Sequence, residues 1–389
     1  WQQPARWVRS ARAKMVAPLA PPLAPPAAPP SSPDSTSAAQ YAVGMAFAVV
    51  SGLLVAYAMV VQRYALSFQS DEGPPGQPAL IPFWGRKIRP LFVWVIGLFI
   101  YGIGSGATYS VAGLLIPLSL LSALFVTLLV FNLPISKAVL GETPTLAKKA
   151  GAGVVLLGCA ICAVGAPTDS KTEFTSDEVA DLFSNTVGAA WFIGLGVTVV
   201  SSVIAICVFE QRYPTGDLLA AAQSAGATTN PRLAPRWLEM VMSFVYPASL
   251  GLDEAIVHIC LRAGNGMSST CANGGCEHGI YPLTLSMWLC TGMATLWWLR
   301  VVFRRYETTV ALPVEYGAMT AADVVSGLIF FEEHKHMETW QIAMVVVGVC
   351  ICLAGIQVGR IGLKVTASDQ PPCPKVGADT APAQQELGA

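Results

Sequence analysis

Charge is scarce in this sequence. Only 12% of its 389 residues are Asp, Glu, Lys or Arg, against 53% apolar ones, and a soluble protein carries roughly twice that charged share. The 24 acidic and 23 basic residues leave a net charge of −1, so no bulk field draws the chain to nucleic acid. There are four histidines and no pairing of a nucleophile with a base, no dinucleotide fingerprint and no zinc-protease motif. Neither an enzyme nor a cofactor is expected. The ten cysteines show no metal-binding spacing. Cys159, Cys162, Cys207, Cys260, Cys290, Cys350 and Cys352 fall within apolar runs and read as small packing residues.

What fills the sequence instead is hydrocarbon. A bilayer core about 30 Å thick takes roughly 20 apolar helical residues to cross, and helices satisfy their own backbone there. Tyr41 to Val61, Ala150 to Thr168, Leu182 to Phe209, Gly279 to Leu299 and Thr339 to Gly359 carry no charge at all. The uncharged stretch from Pro90 to Ser136 is too long for one crossing and is expected to divide near Gly113 and Pro117, where helix is weakest. Trp237 to Arg262 and Thr308 to Phe331 are apolar but enclose Asp253, Glu254, Glu315 and Asp323. An all-α polytopic membrane protein of about nine spans is the expectation.

Residues 1–40, with PLAPPLAPPAAPPSSP at their centre, and residues 362–389 read as disordered tails. Lys and Arg gather in alternate loops, from Arg63 through Lys87, Lys137, Arg212 and Arg304 to Lys364, whereas the opposite loops hold Lys171, Arg262 and Lys335. That bias places the C-terminus in the cytoplasm, whether the membrane is the plasma membrane or an endomembrane. The basic residues Arg6, Arg9, Arg12 and Lys14 run against it, and initiation at Met15 would remove them. On the non-cytoplasmic side, CANGGCEHG offers Cys271 and Cys276 for a disulfide; zinc held with His278 is the other reading, short of four ligands.

An offset of 190 residues aligns Val154–Gly165 with Met344–Gly355, matching Val155, Gly158, Ile161, Cys162 and Gly165, and sets Glu142 on Glu332. The matched spans are the fourth and ninth, so the two copies run in opposite directions. Residues 41–168 then form a first repeat of four spans, 169–181 an acidic connecting loop, and 182–361 a second repeat of five. Inverted repeats are the architecture of secondary transporters.

An intramembrane acid is a functional candidate by default. Glu315 and Asp323 lie about two turns apart on one flank, rotated by roughly 80°, so both can line one cavity. Asp253 and Glu254 point about 100° apart, which directs one of them inward and the other to headgroups or another helix; His258 follows on the same helix as a possible partner. Carboxylates with no intramembrane Lys or Arg opposite suit a cation, and Mg²⁺ takes one or two carboxylates while keeping several waters. Asp323 and Glu315 are therefore the candidate metal ligands. The acidic loop with Asp169, Glu173, Asp177, Glu178 and Asp181 can concentrate cations at an entrance. Gly102, Gly104 and Gly106 are read as close-packing positions, and Pro134 and Pro313 as kinks that can free carbonyls toward a pathway.

The order of these features resembles the NIPA-type magnesium transporters, a branch of the drug/metabolite transporter superfamily. The likeness runs from Tyr41 to Gly359: a glycine-rich second span, a third closing on Gly141–Glu142, a fourth reading GAGVVLLGCAICAVGAP, an eighth opening at LPVEY and closing on FFEE, and a ninth ending CICLAGIQVG. The resemblance implies a nine-helix inverted-repeat carrier that moves Mg²⁺ or a related divalent cation by alternating access. That family commonly has a glutamate in the second span where this chain has Ser105, and uncharged polar residues where it has Glu315 and Asp323. The alternative is a carrier of the same superfamily for a nucleotide sugar, phosphorylated sugar or organic cation; a membrane enzyme or receptor-like scaffold ranks below both. The lipid bilayer is the expected surrounding, and a homo-oligomer is open to it.

Overall fold

The computed structural model describes residues 35–67, 80–141, 144–166, 173–213, 234–272, 279–306 and 308–360. Glu142, Asp169, Cys276 and the two expected tails, apart from the start of the first helix, lie outside these. The described residues form ten α-helical segments: α1 (Ser35–Ser67), α2 (Pro90–Leu115), α3 (Leu118–Leu140), α4 (Leu146–Gly165), α5 (Ser176–Ser184), α6 (Thr186–Arg212), α7 (Arg236–Ala272), α8 (Ile280–Arg305), α9 (Thr308–Val325) and α10 (Thr339–Arg360). Eight of these, all but α5 and α9, are long and apolar enough to cross a membrane. The fold is all-α and of the polytopic membrane type. Along α6, Ile193, Val197, Val200 and Ile204 are all exposed, a face that suits lipid.

Local chemistry sets the boundaries. Pro117 has no N–H to continue a helix and pushes its predecessor into extended backbone, so Ile116 takes φ −135°, ψ 155° and separates α2 from α3, as expected. Helix α1 begins at Ser35, earlier than the expected boundary at Tyr41. The acidic connection is also not simply a loop. Thr175 and Glu178 cap one another's backbone to start α5, and Val179 on that helix is fully buried. A two-residue turn at Trp84–Gly85, both at positive φ, joins a small hairpin of β1 (Ile81–Phe83) and β2 (Arg86–Ile88), the backbone such tight hairpins require.

Two helix contacts organise the bundle. In the first, α4 and α10 cross antiparallel with their backbones almost touching. A Cβ on Gly158 would lie 2.6 Å from Cys352 Sγ, and one on Gly348 would overlap Cys162 Sγ. Cys162 Sγ donates to Val345 O, and Cys352 Sγ to Val155 O, each at 3.5 Å. Each contact in these two pairs becomes the other when 190 is added to one partner and subtracted from the other. The expectation that Gly102, Gly104 and Gly106 provide close packing is not met at two of the three: Cβ atoms at Gly102 and Gly106 would meet nothing within 4 Å, and one at Gly104 would reach Leu54 of α1 at an ordinary 3.6 Å.

The second contact is between α7 and α9, which run parallel. They come close at Gly251, where a Cβ would overlap the carbonyl of Glu315. Helix α9 lies at the centre, with Glu315, Tyr316, Met319 and Asp323 fully buried.

Candidate functional site

The interface of α7 with α9 holds most of the buried charge. Glu254, His258 and Arg262 recur every four residues along α7 and so share one face. That spacing is the signal in the sequence that joins them, and it passes through Arg262, which had been assigned to a loop. Arg262 is instead buried within α7, and its Nη1 lies 3.0 Å from Glu333 Oε1. Buried acids here therefore do have a buried arginine near one end, contrary to the expectation from loop counting.

Glu315 is completely enclosed, and neither carboxylate oxygen has a hydrogen-bond partner among the described residues. Asp323 is equally buried; its Oδ2 lies 2.8 Å from His258 Nδ1, while Oδ1 has no partner among the described residues. Glu254 Oε1 accepts from Tyr101 OH at 2.5 Å. Asp253 Oδ2 accepts from Thr295 Oγ1 on α8 at 2.8 Å. Both neighbouring acids are thus buried, Glu254 toward α2 and Asp253 toward another helix. Glu254 is within electrostatic reach of Asp253, His258, Asp323 and Glu315, so the expected acids do gather into one region. The histidine expected beside Asp253 and Glu254 makes its short contact with Asp323 instead.

Aromatic rings close around these carboxylates. His258 stacks on Tyr109 with ring centroids 4.3 Å apart, and Phe125 meets both Tyr109 and Tyr316 edge to face. Tyr101 belongs to a π-helical turn, Ile100–Ser105, inside α2, and such widened turns are frequent where a helix must aim a functional side chain. Ser105 belongs to the same turn but faces α1, where its hydroxyl lies 3.0 Å from Ser51 Oγ. It does not join the acids. A second π-helical turn, Ser326–Phe330, follows α9, and Gly327 within it leaves the space filled by Glu333 Oε2.

Glu315 and Asp323, expected to line one cavity, are both fully buried. A small cavity of about 10 Å³, room for roughly one water, is lined by Tyr109, Leu118, Leu121, His258, Arg262 and Asn265 among others, and by neither acid. Among the described residues no group of three or more His, Cys, Asp or Glu is arranged to hold a metal ion. Leu118 N donates to Glu333 Oε1 at 3.3 Å, so the Arg262–Glu333 pair also ties α3 to this end of α7.

The opposite end of α7 has its own ionic closure. Arg305 Nη1 donates to Glu210 Oε1 at 3.0 Å, Glu239 lies 4.0 Å from Nη2, and Tyr246 donates to Glu210. Burial works against the charge of Arg305, and its pairing with the Glu210 carboxylate favours it. Arg63 on α1 donates to the carbonyl of Phe303 nearby. Lys137 is exposed in the last turn of α3 and does not serve a buried anion.

The seven cysteines in the apolar runs are free. Cys159, Cys162, Cys260 and Cys352 are buried and Cys207, Cys290 and Cys350 exposed, as packing and lipid-facing positions would be. Cys271 is disulfide-bonded, and the other expected half, Cys276, lies outside the described residues. Pro134 and Pro313 both sit inside their helices. Compared with family models, with curated proteins and with solved structures, the chain finds no match.

Proposed function

We propose that this protein is a membrane transporter that moves a cation, Mg²⁺ first among the candidates, by alternating access through the region between α7 and α9. The observation that carries the reading is Glu315: a carboxylate fully buried at a close approach of two helices, without a hydrogen-bond partner among the described residues. Such a group is expensive in an apolar interior and persists where a ligand or proton neutralises it during work. Glu254 and Asp323 stand within electrostatic reach of it or of one another. Two or three carboxylates suit Mg²⁺ entering with part of its water shell. The described conformation then corresponds to a closed state of the carrier, sealed by Arg262–Glu333 at one end and by the Arg305 cluster at the other.

The reciprocal contacts of α4 and α10 support a nine-span, inverted-repeat arrangement of the drug/metabolite transporter kind, with α9 counted as the eighth span in chain order, α10 as the ninth, and the α4–α10 seam on its pseudo-two-fold axis. Such an arrangement lets two bundles rock about a shared site. It is also what the resemblance to NIPA-type magnesium transporters implies.

One observation favours a second substrate. Tyr101, Tyr109 and Tyr316 with Phe125 surround the acids, and aromatic faces beside carboxylates hold organic cations well. Proteoliposomes separate the two readings. Entrapped Mg²⁺-sensitive dye should report uptake that organic cations inhibit weakly; rapid exchange of an organic cation with no Mg²⁺ flux favours the second. Exchange of an anionic metabolite with neither cation moving would defeat both.

A further inference from the structure

We propose that the β1–β2 hairpin, with the adjoining ends of α1, α2 and α8, is a docking site for the headgroups of anionic phospholipids. Such a site needs only the membrane fold, whatever the chain carries.

Trp84 is the first sign. It occupies the first central position of a turn in which both residues have positive φ, 47° at Trp84 and 73° at Gly85. Asn or Gly takes that backbone at little cost, whereas a bulky side chain is strained there. The ring gains little from the protein in return: it stacks on Phe83 with centroids 5.1 Å apart and leaves the residue 75% exposed. A strained turn that holds an indole outward is accounted for when the indole enters a membrane interface. Trp is enriched there because it joins an apolar body to one N–H donor.

The hairpin also sits at the depth of the headgroups. Its inner side chains, Ile81 and Phe83, are buried with Val61 and Ala65 from the last two turns of α1 and Val93 from the first turn of α2, and Tyr64 OH donates to Pro82 O at 2.7 Å. Those turns are the boundary turns of two apolar spans. Around the hairpin Leu80, Leu91 and Phe92 are each more than half exposed. Among them stand Arg86, Lys87 and Arg89, all exposed, and residues 73–141 contain no Asp or Glu to neutralise them. Apolar insertion and a basic patch are together the two signals that firm attachment to an anionic membrane surface takes.

A headgroup has a seat beside this patch. A recess of about 10 Å³, between the end of α1, the start of α2 and the last turns of α8, is lined by Leu66, Pro90, Leu91, Trp94 and Arg300 among others and has room for roughly one water or one phosphate oxygen. Trp94 Nε1 is buried and has no hydrogen-bond partner among the described residues. An indole N–H only donates, so what it lacks is an acceptor, and burying it without one is costly. Arg300 brings a cation to the same recess, and Arg63 ties α1 to α8 near it by donating to the Phe303 carbonyl. The phosphate of an anionic lipid supplies the acceptor and the negative charge together. Basic residues kept only to orient the chain would require neither the strained tryptophan nor the orphaned indole.

The test places the full chain in phosphatidylcholine membranes, with spin-labelled phosphatidylserine and spin-labelled phosphatidylcholine as the probes. The label immobilised at the protein should favour phosphatidylserine by at least about fivefold, the worth of one basic residue at an anionic surface, and added salt should reduce that preference. Replacing Arg86, Lys87, Arg89 and Arg300 together by Gln should abolish it. Because that combination can fail to fold, two milder variants keep the test decisive. Arg86→Gln with Lys87→Gln changes only exposed side chains and should lower the preference severalfold. Trp84→Asn suits the left-handed turn, so it should unfold in detergent no earlier than the native chain and still weaken the preference. Millimolar inorganic phosphate at constant ionic strength should not displace the label; displacement would reassign the site to a free anion. Equal immobilisation of the two lipids, or a preference that these variants leave unchanged, would overturn the proposal.

Discussion

Two helix contacts in this bundle solve the same packing problem in opposite ways. Where α4 meets α10, glycine and cysteine let two backbones touch, and the Gly158–Cys352 and Cys162–Val345 contacts each have a counterpart 190 residues away. Where α7 meets α9, a single glycine admits the backbone of Glu315, and the space around it is filled with carboxylates, a histidine and tyrosines. The first contact has nothing that water or an ion would want. The second keeps groups that packing alone would never select, since well-packed apolar residues usually serve stability as well as or better than buried charge. On the proposed carrier reading, the first contact is a fixed pivot and the second the working surface.

That contrast can be broken or sharpened by substitution. The largest loss of stability should come from Arg262→Met, which leaves Glu333 buried without its cation and should cost about 3–5 kcal/mol. Thermal unfolding in detergent should show it, and Arg262→Met combined with Glu333→Gln should recover much of the loss. Next come the seam glycines. Gly158→Ala and Gly348→Ala each force a methyl group against a cysteine sulfur and the facing backbone, for about 1–3 kcal/mol. Because the two positions are counterparts, their losses should be nearly equal; a several-fold inequality would refute the symmetry of the seam. The smallest effect belongs to Thr295→Val. It removes one hydroxyl from Asp253, and interhelical hydrogen bonds in membranes average about 0.6 kcal/mol.

The helical class and the four acids were legible because charge inside a long apolar run has no other easy explanation. Arg262 was not, since it stands near the end of its run and counting charges by loop removes it from the membrane. Only its four-residue spacing from His258 and Glu254 gives it away. Glu333 was hidden in the same manner, just beyond the end of an apolar stretch. His258 was visible, but its partner Asp323 is 65 residues away on another helix, and no local pattern encodes that pairing. Tyr101 and Tyr109 look like ordinary packing residues until the fold turns them toward carboxylates. The glycines teach the complementary lesson. Three in YGIGSG suggested a tight contact, yet Gly102 and Gly106 face away, because the rotational phase of a helix decides which glycine meets a neighbour. Gly158 and Gly348 were matched by the repeat offset, and they are the ones that touch.

The central claim is that the buried acids between α7 and α9 carry the cation. Mg²⁺ uptake into dye-loaded proteoliposomes, compared between the native chain and Glu315→Gln at equal reconstituted amounts, tests it most directly. Glu315→Gln should unfold within about 1 kcal/mol of the native protein and yet lose Mg²⁺ uptake. Equal uptake by the two proteins would contradict the account.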